Sequence, residues 1–412
     1  MFTHMHLKPP FSEGNYYSPT SRSISRPFKS STQQQYPSSY ISRYPLYGLD
    51  WSFDTTDSTP LIALSSYRDD STNKLEILNG SQSIIPAPPL SPTSKSCSSQ
   101  SYNFSLISDH SIKYPITRLQ WDPSMSSKNN SNQQLLATTS ECLRIYQLCD
   151  SDSDNSKKLI EKSALTNSKI TNLNQLPPMT SFDWNSFDPT SLITCSIDTT
   201  CTAWNLVKET FVAKSQLIAH DSEVYDVKYI YGDKNVFASC SSDGSVRLFD
   251  LRNLEQSTII YDNTLNGNSK TLLRLASSHY NANQIALLTQ DSSNVIILDL
   301  RNVGVPVYSL NHSSAPVDSI AWHPTKNLLL TGSDSMQVLL YDFSIQQSNQ
   351  LSPTNSPIST NIDDYMHSNK NHLPSYKFDA QMEVNNVCWS PDGQCAGFNS
   401  GKCFQSVMFS PS

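Results

Sequence analysis

Four adjacent residues, Asp198, Thr199, Thr200 and Cys201, have side chains that could take part in nucleophilic catalysis. They lie in LITCSIDTTCTAWNL (192–206), between two apolar segments. A nucleophilic Cys or Thr also needs a base oriented by a third group and an oxyanion site, and this stretch contains no histidine. A tight turn begun by Asp, followed by β-branched residues on a strand, explains the same sequence. We therefore predict a structural role for this segment.

Cysteine spacing and known motifs give no other candidate for chemistry. The nine cysteines are an odd number at irregular spacing, without a C-x-x-C pair or a histidine at ligand spacing. Most lie in apolar, strand-like segments, which predicts buried free thiols. The run GNSKT (267–271) lacks the glycine spacing of a phosphate loop, and HExxH, GxSxG and kinase motifs are absent. We predict no catalytic residue, no metal, no cofactor and no enzyme activity.

The composition limits the classes of partner. Of the 412 residues, 37% are apolar and 16% are charged, with a formal net charge of −7. Because no segment concentrates Lys and Arg, we expect no direct binding of nucleic acid. No run approaches the roughly 18 apolar residues of a membrane span, and the first residues lack the apolar core of a secretory signal. We expect a protein of the reducing cell interior that does not enter membranes.

The chain alternates between polar, Ser-, Asn- and Pro-rich segments and short apolar segments bounded by turn residues. The polar segments have no apolar period, so we predict a disordered head over 1–38 and polar low-complexity inserts within a domain over 39–412. The inserts cover about 79–101, 124–134, 150–175 and 346–375. Phosphorylation is predicted at the serines of four Ser-Pro pairs in these polar segments, Ser18, Ser91, Ser352 and Ser356.

The short apolar segments repeat along the chain. Four copies contain Trp and a turn proline, in LQWDP, DWNSFDP, IAWHP and VCWSP, and an apolar strand follows each; three further copies lack this pair. Asp250, Asp299 and Asp342 end equivalent strands at intervals of 49 and 43 residues, close to one four-stranded blade of about 40–45 residues. A sheet with two apolar faces must stack on neighbours. Seven copies therefore predict an all-β, seven-bladed β-propeller.

The same residue types recur at fixed positions inside blades three and four. Asp198 precedes Trp204 by six residues, Asp243 precedes Phe249 by the same six, and His220 lies 23 residues before Asp243. This layout resembles the Gly-His and Trp-Asp arrangement of WD repeats. The resemblance implies a hydrogen-bonded bracket of imidazole, carboxylate, strand hydroxyl and strand-c aromatic, in which every buried polar group finds a partner.

Two long segments resemble consecutive blades of one eukaryotic WD-repeat scaffold family. They are MTSFDWNSFDPTSLITCSIDTTCTAWNL (179–206) and FASCSSDGSVRLFDLRNLEQSTIIYD (237–262). The family includes the plant transparent-testa-glabra and anthocyanin regulators and the animal cullin-associated factor that binds DYRK-type kinases. The resemblance implies a monomeric, non-catalytic scaffold or adaptor of the cytoplasm and nucleus, which assembles protein kinases or transcription regulators.

Some relatives in that family are substrate receptors of cullin ubiquitin ligases, which implies an alternative function. They use an aromatic-Asp-x-Arg box at the end of a blade. Here FDLR (249–252) has Phe for Trp, and LDLR (298–301) has no aromatic residue. The candidate contacts with a ligase adaptor are Asp250, Arg252, Asp299 and Arg301. Alternatively, each Asp and Arg only satisfies local groups in a blade-end turn.

Two further expectations concern the ring as a whole. A strand near 40–47 is expected to pair into the last blade, because closure removes the open sheet edge. A propeller enzyme is a third alternative. It would be supported by a cluster of perturbed carboxylates or histidines in the central channel, of which the sequence gives no sign.

Overall fold

The structure, a computed structural model, describes nine stretches of the chain: residues 38–54, 58–85, 99–126, 133–150, 157–166, 176–264, 270–311, 315–344 and 372–409. Within them, 28 strands form seven antiparallel sheets of four strands each. This is the seven-bladed β-propeller that the repeats predict. The head before Ser38, most of the insert at 346–375 and the four Ser-Pro serines lie outside the described residues.

Each blade runs from an inner strand a, beside the central axis, through b and c to an outer strand d. Blades 1 to 3 comprise β2 (Leu46–Phe53), β3 (Pro60–Ser66), β4 (Asn73–Ile85), β5 (Ser99–Ile112); β6 (Arg118–Trp121), β7 (Gln134–Thr139), β8 (Leu143–Asp150), β9 (Lys157–Leu165); and β10 (Met179–Trp184), β11 (Ser191–Ser196), β12 (Thr200–Val207), β13 (Thr210–Ile218). One short 3-10 helix, Pro123–Ser126, follows β6.

Blades 4 to 7 repeat this order. They comprise β14 (Val224–Tyr229), β15 (Val236–Ser241), β16 (Ser245–Asp250), β17 (Asn253–Asp262); β18 (Leu272–Ser277), β19 (Gln284–Thr289), β20 (Asn294–Asp299), β21 (Pro306–Asn311); β22 (Val317–Trp322), β23 (Leu328–Ser333), β24 (Gln337–Asp342), β25 (Tyr376–Asp379); and β26 (Val384–Trp389), β27 (Cys395–Ser400), β28 (Cys403–Met408) with β1 (Ser38–Ile41).

The hydrophobic core lies between the blades. The b strands β11 and β19 are buried at every position, because both of their faces pack on neighbouring blades. Ile193 and Cys195 of blade 3, for example, share one cluster with Val227 and Phe237 of blade 4. An outer strand such as β13 is mostly exposed, and polar and apolar residues are mixed along it. This difference explains why b strands are the clearest signal in the sequence.

The ring closes between the two ends of the described chain. Strand β1 pairs antiparallel with β28 and becomes the outer strand of blade 7. The expected closing strand near 40–47 is therefore placed slightly too late, since residues from Leu46 onward form the inner strand of blade 1. Trp51 packs edge-on against Phe404 of blade 7 with 6.1 Å between ring centroids. This contact reinforces the closure on the inner side.

Two of the predicted inserts contain strands. Residues 79–85 and 99–101 of the first insert extend the hairpin of β4 and β5, whose pairing continues from Asn79 opposite Ser105 to Ile85 opposite Ser99. The segment 150–175 contains β9, the outer strand of blade 2, in which Leu159 is fully buried. Where these two segments are described, the prediction of polar inserts was wrong for the same reason, and residues 86–98, 151–156 and 167–175 lie outside the described ranges. A strand that packs on one side only needs few apolar residues, so its sequence resembles that of a polar insert.

Antiparallel order fixes which connections share a face of the ring. The a–b and c–d connections lie on one face, which we call the c–d face. The b–c and d–a connections lie on the opposite b–c face. On the c–d face, blades 3, 4 and 5 have short connections described throughout, whereas the c–d connections of blades 1, 2 and 6 include residues outside the described ranges.

Candidate functional site

The segment 192–206 is architectural. Asp198 Oδ1 accepts hydrogen bonds from Thr200 N at 3.1 Å and Thr200 Oγ1 at 2.6 Å, while Thr199 adopts a left-handed conformation with φ of 70°. This is a b–c turn capped by its own Asp. Burial raises the pKa of the Cys201 thiol well above its usual value, so the thiol stays protonated and weakly nucleophilic. The structural interpretation of this segment fits the geometry.

The bracket of blade 4 lies on the b–c face. His220 Nδ1 lies 3.0 Å from Asp243 Oδ2, and His220 Nε2 lies 2.7 Å from Ser239 Oγ. The imidazole is buried, and this network satisfies both of its nitrogens. Burial opposes ionisation of Asp243, but hydrogen bonds from His220 and Ser245 outweigh it and hold the pKa of that carboxyl below its usual range.

The aromatic member of the implied bracket does not join it in blade 4. Phe249 has no polar atom and stacks on Phe237, with ring centroids 5.1 Å apart. In blade 3 the network is split differently. Trp204 Nε1 donates to Thr194 Oγ1 at 3.0 Å, and Asp198 bonds only within its own turn. The two blades thus each keep one half of the arrangement that the resemblance implies.

The Asp-x-Arg pairs lie on the c–d face and form the same turn twice. Arg252 Nη2 lies 2.6 Å from Asp250 Oδ2, and its backbone N–H donates to Asp250 Oδ1 at 2.9 Å. Arg301 binds Asp299 with the same two distances. The arginine side chains remain 62% and 67% exposed. Each pair therefore satisfies its own turn and still presents one side of a guanidinium to solvent.

The seven inner strands surround a central channel of about 440 Å³. Its wall includes charged side chains that sequence reasoning missed, among them Asp50, Arg118, Asp183, Lys228 and Arg274. A cluster of perturbed carboxylates or histidines in the channel would support a propeller enzyme, so the contacts of these charged groups decide their role. They show that most of these groups join one blade to the next.

From blade 1 to blade 5, side-chain oxygens accept hydrogen bonds from the backbone of the following blade. Asp50 Oδ2 accepts from Trp121 N at 2.7 Å, and Gln120 Oε1 accepts from Trp184 N at 3.0 Å. Asp183 Oδ2 accepts from Tyr229 N at 2.9 Å, and Asp226 Oδ2 accepts from Leu275 N at the same distance. These contacts define the acceptor arc of the channel wall.

From blade 5 back to blade 1, the polarity is reversed, because side-chain N–H groups donate to backbone carbonyls. Trp322 Nε1 donates to Ala276 O and Trp389 Nε1 donates to Ala321 O, each at 3.1 Å. Asn385 Nδ2 of blade 7 donates to Leu46 O of blade 1 at 3.0 Å. We call these three junctions the donor arc. Three of the four acceptors in the acceptor arc directly precede a Trp, and the fourth, Asp226, lies three residues before the equivalent Tyr229. This is the sequence signal that could have identified them.

Two carboxyls of the acceptor arc have pKa values shifted in opposite directions. Burial raises the pKa of Asp50 to about 6, against the Trp121 N–H and the charge of Arg118. Burial acts on Asp226 too, but the charges of Lys228, Arg118 and Arg274 outweigh it and lower its pKa. Ser181 Oγ also donates to Asp226 Oδ1 at 2.6 Å. The carboxylates therefore serve as hydrogen-bond acceptors between blades.

The described residues contain no group of three or more His, Cys, Asp or Glu side chains placed to hold a metal ion. Eight cysteines are described and all are free thiols, six of them buried, as predicted from their apolar context. No helix in the described stretches has the length and apolarity needed to cross a bilayer.

Comparison with known proteins decides the family. The model of the WD domain, G-beta repeat, matches residues 212–250 and 304–342; each match contains strand d of one blade and strands a to c of the next. A WD repeat-containing protein of Saccharomyces cerevisiae is 34% identical over 89% of this chain and 76% of its own length. The chain belongs to the WD-repeat proteins.

Two further matches extend this result. The DDB1- and CUL4-associated factor 7 homolog of Dictyostelium discoideum is 35% identical to this WD-repeat protein, over 88% of the chain and 95% of its own length. Among solved structures, Chaetomium thermophilum Raptor aligns with a TM-score of 0.60 and 13% identity, over 91% of this chain and 28% of that one. At that identity, the second match supports the fold alone.

Proposed function

We propose that this WD-repeat protein is a non-catalytic, monomeric scaffold of the cytoplasm and nucleus that assembles protein kinases or transcription regulators. The observation that carries the proposal is the similarity to WD-repeat relatives over 88% and 89% of the chain, one of which is named a DDB1- and CUL4-associated factor 7 homolog. The geometry agrees with it. The channel carboxylates bond between blades, the thiol of Cys201 is held protonated, and blades 3, 4 and 5 present short c–d turns to partners.

Affinity purification from the native cell, followed by mass spectrometry, tests the scaffold. The tagged full-length chain is expected to recover at least one protein kinase or transcription regulator that the tag alone does not recover. Fractionation of the same cells should place the chain in both the cytoplasm and the nucleus. Recovery of neither class of protein in repeated purifications would contradict the proposal.

A second candidate function is that of a substrate receptor for a cullin ubiquitin ligase. It is favoured by the name of the Dictyostelium relative and by the two exposed guanidinium groups at the blade-end turns. The predicted result is co-purification with the propeller adaptor of the ligase, lost on combining Arg252→Ala with Arg301→Ala. Lys208→Ala, in the corresponding c–d turn of blade 3, is the matched control. Binding that survives the double substitution would exclude these residues as the contact.

A further inference from the structure

The c–d face carries a row of aromatic rings across three neighbouring blades. Phe187, Tyr231 and His279 occupy the a–b connections of blades 3, 4 and 5 and line the mouth of the channel. The rings of Phe187 and Tyr231 are 4.8 Å apart and meet edge-on, whereas Tyr231 and His279 stack at 4.6 Å. We call these three residues the aromatic row. Tyr280, the next residue along the chain, is 61% exposed.

Hydrogen bonds in the loops hold this row in place. Asn185 Oδ1 accepts from the backbone N–H groups of Phe187 at 2.9 Å and Asp188 at 3.0 Å. Tyr231 N donates to Ser277 Oγ at 3.0 Å, which ties the row to the next blade. Phe187 is nevertheless 52% exposed. Rings that are already ordered lose little conformational entropy on binding, which favours recognition of another chain.

Around the aromatic row, the hydrogen-bond acceptors have partners, whereas two lysine ammonium groups have none among the described residues. The acceptors bond within their own loops: Asp188 accepts from Thr190, Asp233 from Asn235 N and Asn281 from Asn283 N. Lys234 and Lys326 lie exposed in the a–b connections of blades 4 and 6, and their ammonium groups have no hydrogen-bond partner among the described residues. The surface therefore offers aromatic rings and donors, whereas its acceptors are already engaged.

We propose that the aromatic row binds an extended, acidic peptide segment of a partner protein, with an apolar or aromatic side chain of that segment placed against the rings. Carboxylates of the segment would supply the acceptors that Lys234 and Lys326 lack. A nucleic-acid strand fits less well, because the chain has a net charge of −7 and only isolated lysines lie here. The proposal rests on the scaffold function above and specifies one of its contact surfaces.

A phage-display selection from a random library of short linear peptides would identify peptides that bind the protein, and these serve as the probe for the aromatic row. The immobilised full-length protein should enrich peptides that combine Asp or Glu with Tyr, Phe, Trp or Leu. Combining Phe187→Ala with Tyr280→Ala should weaken the enriched synthetic peptides at least about tenfold in a fluorescence anisotropy assay. Both side chains are at least half exposed, so the thermal midpoint should fall only by the small amount that the lost contact of Phe187 with Tyr231 contributes. Ile218→Ala, an exposed apolar site at the other end of strand β13, is the control and should bind normally.

A charge swap tests the lysines separately. Combining Lys234→Glu with Lys326→Glu should weaken acidic peptides and restore binding when the Asp and Glu of those peptides are replaced by Lys. Enrichment of no peptide, of basic peptides, or of peptides insensitive to the Phe187 and Tyr280 substitutions would overturn the proposal. If the variant that combines Phe187→Ala with Tyr280→Ala still recovers its kinase or regulator partners from cells, the scaffold function stands and the proposal that the aromatic row is a contact surface is wrong.

Discussion

The two arcs of the channel wall both join neighbouring blades through side chain to backbone hydrogen bonds, but the side chains accept in one arc and donate in the other. In the acceptor arc, the oxygens of Asp50, Gln120, Asp183 and Asp226 accept backbone N–H groups of the next blade. In the donor arc, indole and amide N–H groups donate to backbone carbonyls. Both arrangements satisfy inner-strand backbone groups that would otherwise be buried without partners. The three bonds of the donor arc involve no carboxylate, so any pH dependence that arises from these inter-blade bonds should come from the acceptor arc.

Asp226→Ala should have the largest effect on stability. The Asp226 carboxylate joins three blades, since it accepts from Ser181 Oγ of blade 3 and Leu275 N of blade 5, and it offsets the charges of Lys228, Arg118 and Arg274. Its loss leaves buried cations uncompensated, so we expect the free energy of unfolding in urea to fall by about 3–5 kcal/mol. Asp226→Asn keeps an acceptor and should lose less. A loss below about 1 kcal/mol would show that the acceptor arc is dispensable.

Asp50→Asn should stabilise the protein at neutral pH. The folded state holds a proton on Asp50 up to about pH 6, whereas the unfolded state releases it near pH 3.9. The wild type therefore loses stability as the pH rises through this window, and the amide does not. Urea unfolding should show near-equal stability at pH 4 and an advantage of about 2 kcal/mol for the variant at pH 7.

Asp226→Asn should change the pH dependence of the free energy of unfolding in the opposite direction to Asp50→Asn. The lowered pKa of Asp226 means that its ionised form stabilises the fold above the unfolded pKa, and that this contribution is lost as the pH falls through the folded pKa. The deficit of the variant should thus be largest at pH 7 and shrink in acid. Parallel pH profiles for the two variants would contradict the assignment of opposite electrostatic environments.

Trp322→Phe tests the donor arc with a smaller effect. The substitution removes the hydrogen bond from Nε1 to Ala276 O. Trp121→Phe is the matched control, because Trp121 Nε1 is buried without a hydrogen-bond partner among the described residues. Both changes remove similar volume, so the difference between them reports the hydrogen bond. We expect Trp322→Phe to cost about 1 kcal/mol more in the free energy of unfolding. Equal losses would mean that the indole bond contributes nothing net.

The contrast between the arcs also shows what the sequence can and cannot reveal. Strand b of each blade contains a buried apolar run, and Trp-Pro pairs mark four of the inner strands, so blade number and the role of Cys201 could be predicted. The outer strand β9 could not, because only Leu159 needs to be fully buried there. The pairing of Asp50 with Trp121 spans 71 positions. It depends on which inner strands become neighbours, and a single repeat does not contain that information.

Arg252→Ala and Arg301→Ala should have the smallest effect on the free energy of unfolding, because neither residue belongs to the acceptor arc or the donor arc. Each guanidinium is exposed and bonds only to an Asp two residues earlier. An exposed pair of this kind gains little, since solvent screens the charges and the side chains lose freedom. The urea midpoint of either variant should equal that of the wild type. Because these residues do not join blades, a loss of partner binding by the same variants would indicate a contact at the c–d face. A shifted urea midpoint would contradict this prediction and would show that the blade-end turns stabilise the ring.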